Sequence, residues 1–156
     1  MANISELIEV GWREWVALPE LGLHAIKAKI DTGAKTSALH ASSVERIRAD
    51  NRDRVRFVMH PLQRSETPTI QCEADLLDVR DVTDSGGHKE SRLVIETPLK
   101  VGEHSWPVQI TLTDRKGMRF RMLIGRRAMV GRIVVNPKAS YCVGKLNPTA
   151  LYNARR

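Results

Sequence analysis

The chain has 156 residues, 42% of them hydrophobic and 28% charged, which suits one folded domain with one core and excludes a chain that is disordered throughout. Lys and Arg outnumber Asp and Glu by 25 to 18, a net charge of +7, so the expected partners are anionic: nucleic acid, a ribosomal surface or an acidic substrate. Cys72 and Cys142 stand alone without CxxC spacing, which argues against a disulfide framework or a Cys-based zinc site and leaves both as small core or semi-buried residues.

Along the chain, "MANISELIEVGW" has no basic region ahead of a long apolar run, and no later segment reaches the ~20 apolar residues that span a bilayer. A cytoplasmic protein with no membrane attachment is expected, a single domain over 1–156 with roughly ten peripheral residues at each end. Trp12, Trp15 and Trp106 are read as core and strand-edge packing. "HAIKAKI" (24–30) alternates as a strand does.

The spacing of "SALHASSVERIRAD" (37–50) also fits a helix of three turns, although it is not read as one over its full length. "VRFVMHPL" (55–62) is β-rich. "RLVIETPLKVG" (92–102) and "WPVQITLTD" (106–114) are read as neighbouring strands around a turn at Val101 to His104. Between them and the earlier strands, "DVTDSGGHKES" (81–91) is a polar, glycine-containing hairpin tip. "RRAMV" after Gly125 is a short helix, and "GRIVVNP" (131–137) a last strand. Prolines 61, 68, 98, 107 and 137 are expected at strand ends or edges, where a missing N–H is tolerated. Arginines concentrate in "RIRADNRDRVR" and "RKGMRFRMLIGRR"; Glu45, Asp50 and Asp53 dilute the first run, which also fits a solvated face of mixed sign.

The chemistry concentrates at "IKAKIDTGAKTSALHA" (26–41), where Asp31 follows an apolar strand and opens a Thr-Gly turn. Asp, Thr and Gly are ordinary turn formers, so the tripeptide alone proves little. Its setting adds more: Ala34, Thr36, Ser37 and Ala38 are small enough to admit a second segment. If Asp31 meets another carboxylate at ~3 Å, like-charge repulsion keeps one proton on the pair, which then serves as base and acid together. Thr32 would lock the turn with its hydroxyl, Gly33 would allow close backbone approach, and Ala34 would line the cleft. In "FRMLIGRRAM", the apolar strand ending at Gly125 and Arg126 is expected to run beneath the aspartate's loop, leaving no room for a Cβ.

"AKIDTGAKTSALHA" followed by "MLIGRRAM" resembles the retropepsin-like aspartic proteases. The wider pattern "RLVIETPL", "W" and "ITLTDRKGMRFRMLIGRRAM" is similar to a small bacterial family in that group that has been labelled "ATP-dependent zinc protease". The resemblance implies an all-β fold, a closed six- to seven-stranded barrel with a flap hairpin and one short helix, and endopeptidase chemistry. Asp31 would be the catalytic residue, Gly125 and Arg126 the supporting loop, and Asp84, Ser85, Gly86, Gly87 and His88 the flap over the substrate.

With one such aspartate and one "LIG" per chain, a twofold homodimer would complete the dyad. In viral members an acidic residue after the "DTGA" pairs with the late Arg; here Lys35 stands in that place and would repel Arg126. The label finds no support in the residues. His24, His40, His60, His88 and His104 are scattered without HExxH, no GxxxxGK[ST] loop occurs, and no cofactor and no metal are expected. Family members also resemble partners of a ligase that adds glutamates to a ribosomal protein, so a peptide or protein substrate with an acidic, glutamate-rich tail is implied. A non-catalytic or regulatory module that binds such a tail or a ribosomal partner is the second reading, and a zinc metalloprotease the third.

Overall fold

The computed structural model describes residues 6–83, 86–114 and 119–153. In chain order the strands are β1 (Ile8–Val10), β2 (Arg13–Leu18), β3 (Leu23–Ile30), β4 (Ser37–His40), β5 (Ser42–Ala49), β6 (Arg52–Met59), β7 (Ile70–Thr83), β8 (Lys89–Val101), β9 (His104–Thr113), β10 (Met122–Ile124) and β11 (Ile133–Val135). The helices are α1 (Arg126–Met129) and α2 (Pro148–Asn153), with a 3-10 turn at Pro19–Leu21. The all-β class expected from the sequence is what forms, with two short helices where one was expected.

Nine strands hydrogen-bond in the order β2-β3-β10-β4-β9-β8-β7-β6-β5, and β1 pairs separately with β11. The sheet is thus larger than the six or seven strands expected, and six of its strands, β2, β3, β10, β4, β9 and β8, join into a ring. One pair, Ala17 opposite Lys100, ties β2 back to β8. Beyond that tie, β5, β6 and the first half of β7 extend as a three-stranded arm.

Period-two burial makes the strands. In β6, Val55, Phe57 and Met59 turn inward while Arg56 between them faces solvent and Val58 is half-buried, and the same core holds Leu23, Ile26, Ile95, Leu99 and Ile110. The helical spacing of 37–50 loses to this pairing. Ser37–His40 is hydrogen-bonded on both sides, by β9 and β10, and Ser42–Ala49 pairs with β6, so tertiary ladders override local periodicity.

Pro98 and Pro107 face each other inside the β8–β9 ladder instead of at strand ends. Pro98 lies between the stretch of β8 paired to β7, which stops at Ile95, and the β2 contact at Lys100, so its missing N–H leaves no partner unsatisfied there. Cys72 is buried as expected, whereas Cys142 is exposed. Burial pushes the Cys72 thiol up to about 12, so it stays protonated and is no nucleophile. Of the tryptophans, Trp106 is buried and its indole N–H donates to the carbonyl of Ala128.

Described residues on either side of the sheet's main run tie back into the fold. Val10 is buried in the β1–β11 pair, and Tyr152 of α2, 8% exposed, donates its hydroxyl to the carbonyl of Ala25 at 2.6 Å. No helix among the described residues is long and apolar enough to cross a membrane.

The first arginine run is the mixed-sign face considered above. Arg48 pairs with Asp53, Arg52 and Arg54 with Asp75, and Arg54 and Arg56 with Glu73. The hydrogen bond from Arg54 holds the Glu73 carboxyl below its ordinary value. A depressed acid contributes stability above its unfolded pKa and loses it as pH falls through the folded value. Acid titration of the wild type against Glu73→Gln, followed by circular dichroism, is therefore expected to show a difference that is present at neutral pH and disappears in acid; because the pair is exposed, the difference is small.

Candidate active site

Asp31 stands where β3 ends. Its backbone N–H donates to the carbonyl of Ile124 at 2.9 Å, which carries the parallel β3–β10 pairing one residue past the strand. Its Oδ1 accepts from the Gly33 N–H at 3.0 Å and its carbonyl from the Ala34 N–H at 3.2 Å, so side chain and main chain close the same turn. Oδ2 accepts no hydrogen bond among the described residues, and the half-buried side chain opens onto a cleft of about 720 Å³.

The strand order sets this geometry. β3 and β4 are joined through the Asp31 turn, yet β10 lies between them, parallel to β3 and antiparallel to β4. Chain leaving β10 must therefore pass beneath the loop that joins its two neighbours. Gly125 does so: a Cβ there would sit 2.7 Å from the carbonyl carbon of Thr36, 2.8 Å from its oxygen and 3.0 Å from the carbonyl oxygen of Ala34. The Gly125 N–H donates to Ser37 Oγ at 3.0 Å, and Thr111 donates its hydroxyl to the Ser37 carbonyl at 3.1 Å.

Gly125→Ala is accordingly expected to lower stability by about 1–3 kcal/mol, because backbone and not a pliable side chain must yield, and to displace the Asp31 turn with it. Chemical denaturation would measure the first effect, and a loss of activity disproportionate to the loss of folded protein the second.

Arg126 is not left facing Lys35 unsatisfied, as its sequence position suggested. Its guanidinium donates to the Thr32 carbonyl at 2.9 Å, and the N–H groups of Arg126 and Arg127 donate to the carbonyls of Ala34 and Lys35 at 2.8 and 3.1 Å. Backbone oxygens of the turn do what an acidic residue would have done. Thr32 contributes by its carbonyl; its exposed hydroxyl has no partner among the described residues, so the lock expected from Thr32 comes from Gly33 and Ala34.

The structure brings Asp31, Gly33, Ala34 and Arg126 to one cleft. Of the expected flap residues, Asp84 and Ser85 lie outside the described residues, and Gly86, Gly87 and His88 are exposed and do not line the cleft. The stem of that hairpin does: Arg80, Asp81, Val82 and Thr83 from β7, and Arg92 from β8. Asp81 is thus a second carboxylate facing the cleft of a single chain, a residue that sequence reading passed over because it sits in a polar run.

Five cations, Lys35, Arg80, Arg92, Arg126 and Arg127, face Asp31 and Asp81 across this cleft. Arg80 is paired with Asp78 at 2.8 Å and Arg92 with Glu90 at 3.0 Å, whereas Lys35, Arg126 and Arg127 have no carboxylate partner among the described residues. The cleft presents a net positive field to a ligand. Among the described residues no three His, Cys, Asp or Glu side chains gather to hold a metal ion.

Residues 9–145 match the model of the RimB-like family, described as the retropepsin-like aspartic endopeptidase RimB. Similar curated proteins include the probable alpha-L-glutamate ligases of Desulfotalea psychrophila, 39% identical over 145 residues, and Parasynechococcus marenigrum, 45% identical over 144. The matches cover 93% and 92% of this chain but 31% of each relative, so the chain spans under a third of their length. A crystal structure of a protein of unknown function from Legionella pneumophila shares the fold, with a TM-score of 0.73 over 86% of this chain and 97% of that one at 24% identity.

Proposed function

Because the chain belongs to the RimB-like family of retropepsin-like aspartic endopeptidases, we propose that it is a cytoplasmic aspartic endopeptidase whose dyad forms from the Asp31 side chains of two chains. The ionised member takes a proton from the attacking water and the protonated member donates one to the scissile carbonyl oxygen, with no covalent intermediate. The observation that carries this reading is the Asp31 carboxylate itself, fixed through Oδ1 by the Gly33 N–H while Oδ2 is left to meet a partner and a water. Gly33 and Ala34 shape the turn, and the β7–β8 hairpin would close over the substrate.

The substrate we propose is a protein bearing an acidic, glutamate-rich tail. The net cationic cleft supports it, and so do the relatives named as probable glutamate ligases, which carry a segment like this chain within a protein about three times as long. Association with a ligase that modifies a ribosomal protein follows as part of the same reading.

The test is cleavage of a glutamate-rich peptide, assayed with a pepstatin-like inhibitor and with a chelator in parallel. Inhibition by the first and indifference to the second are expected, with specific activity that falls on dilution as dimers dissociate. The unpaired cations of the cleft also fit a non-catalytic module, which predicts salt-sensitive binding of the same peptide without cleavage. Activity lost to chelator and untouched by the inhibitor would sink both.

A further inference from the structure

The outer face of β2 and β3 carries a second concavity, of about 390 Å³, lined by Arg13, Trp15, Lys27, Gln63, Arg64 and Arg119 among others and by no carboxylate. Trp15 lies opposite Lys27 in the antiparallel ladder and two residues from Arg13, which puts all three on one face of the sheet. The loop that bears Arg64 is tied in by Gln63, whose Nε2 donates to the Arg119 carbonyl at 2.8 Å. Arg64 itself takes a left-handed backbone conformation, with φ of 58°.

On the β5–β7 arm the cations are neutralised: Arg52 and Arg54 pair with Asp75, and Arg54 and Arg56 with Glu73. Here they are held by other means. The Arg13 guanidinium lies 4.6 Å from the ring centre of Trp12 and 4.9 Å from that of Tyr141, and its Nε donates to Ser140 Oγ at 3.2 Å. Lys27 Nζ lies 5.3 Å from the Trp15 ring and 5.7 Å from Tyr141. Ring faces and a hydroxyl fix these charges without cancelling them, so the pocket keeps its full positive field in an ordered geometry.

We propose that this pocket binds a nucleotide, with its phosphate on Arg13, Lys27, Arg64 and Arg119 and its base or ribose against Trp15. Guanidinium groups grip phosphate oxygens in pairs, and an indole offers a flat apolar surface to any base. An acidic peptide fits less well. Its side-chain carboxylates on one face of an extended chain lie ~7 Å apart and bring no planar group for the indole. The nucleotide is either free or part of a single-stranded RNA, since both present the same phosphate beside a base.

Fluorescence anisotropy on the full chain, with a labelled nucleoside diphosphate and a labelled short single-stranded RNA at about 50 and 200 mM salt, tests this. Saturable, salt-sensitive binding is expected, weakened about tenfold or more and with a shallower salt slope in Arg64→Gln/Arg119→Gln. Both side chains are exposed, so that variant is expected to keep the wild-type melting temperature, and Arg48→Gln/Arg52→Gln on the neutralised arm is the control that leaves binding unchanged. Binding of the mononucleotide assigns the free ligand; binding of RNA alone assigns the strand. The proposal is overturned if neither probe binds, if the double variant binds like wild type, or if polyglutamate displaces the probe at equal or lower concentration. Asp31→Asn is expected to bind the probe normally, so failure here is distinguishable from failure of the peptidase reading.

Discussion

Asp31→Asn is expected to abolish peptide hydrolysis, lowering kcat about 10²–10⁴-fold, while the protein stays folded and still binds an acidic peptide. The asparagine carbonyl can accept the Gly33 N–H as Oδ1 does now at 3.0 Å, and the main-chain bonds from Asp31 N–H to Ile124 and from Ala34 to the Asp31 carbonyl do not involve the side chain. What is lost is the group that can gain and release a proton. A circular dichroism melt unchanged from wild type, beside the collapsed rate, separates chemistry from folding.

Mixing sharpens the result. If the dyad spans two chains, equal amounts of wild type and Asp31→Asn, exchanged to equilibrium, leave about a quarter of the dimers with two aspartates, so specific activity per total chain falls to about a quarter. If Asp31 instead works with Asp81 of its own chain, the value is about half, and Asp81→Asn is as damaging as Asp31→Asn. Full hydrolytic rates from Asp31→Asn would end the peptidase reading altogether.

Glu14→Ala is expected to be the most destabilising of the variants considered, by about 3–5 kcal/mol, because it strands several donors at once. Glu14 is 0% exposed and lies on the inward face of β2. Its Oε2 accepts from the Gly11 N–H at 2.7 Å and the Cys142 N–H at 2.8 Å, and its Oε1 accepts from the Val143 N–H at 3.1 Å. No helix or strand partner serves those amides, so the carboxylate stands in for a missing ladder.

The clamp also bears on the active site. It holds the C-terminal segment against residues 11–14, where the Trp12 N–H donates to the Ala139 carbonyl and the Trp12 carbonyl accepts from Ile30, the residue before Asp31. Gly11 is required in the same place, since a Cβ there would fall 2.1 Å from the Ala139 carbonyl oxygen. Glu14→Gln, which keeps one acceptor oxygen, is expected to lose less stability than Glu14→Ala. Equal losses in urea denaturation would show that packing, and not the hydrogen bonds, holds the segment.

The parts of this protein that sequence reasoning reached are those whose cause is local. Asp31-Thr32-Gly33 is a turn because its own side chain and amides close it, and burial alternates along 26–30, 55–59 and 106–110 within the strands read there. The need for a bare glycine at 125 was also legible, once two motifs far apart were taken to meet.

Other features answer to distant partners. The stretch 37–50 has helical spacing but becomes strand because β9, β10 and β6 offer it ladders. Pro98 and Pro107 sit mid-ladder because neighbouring strands happen to leave the proline side unpaired.

Turn chemistry, strand alternation and the presence of one candidate acid per motif were therefore determined by sequence alone, since each depends on residues within a few positions of one another. Which charges are cancelled, which are held ready by ring faces, and that Glu14 binds amides 128 and 129 residues away were decided only by the tertiary structure. The physical reason is that desolvation and hydrogen-bond satisfaction depend on what surrounds a group in space, and for a sheet threaded out of chain order those surroundings come from the far end of the chain.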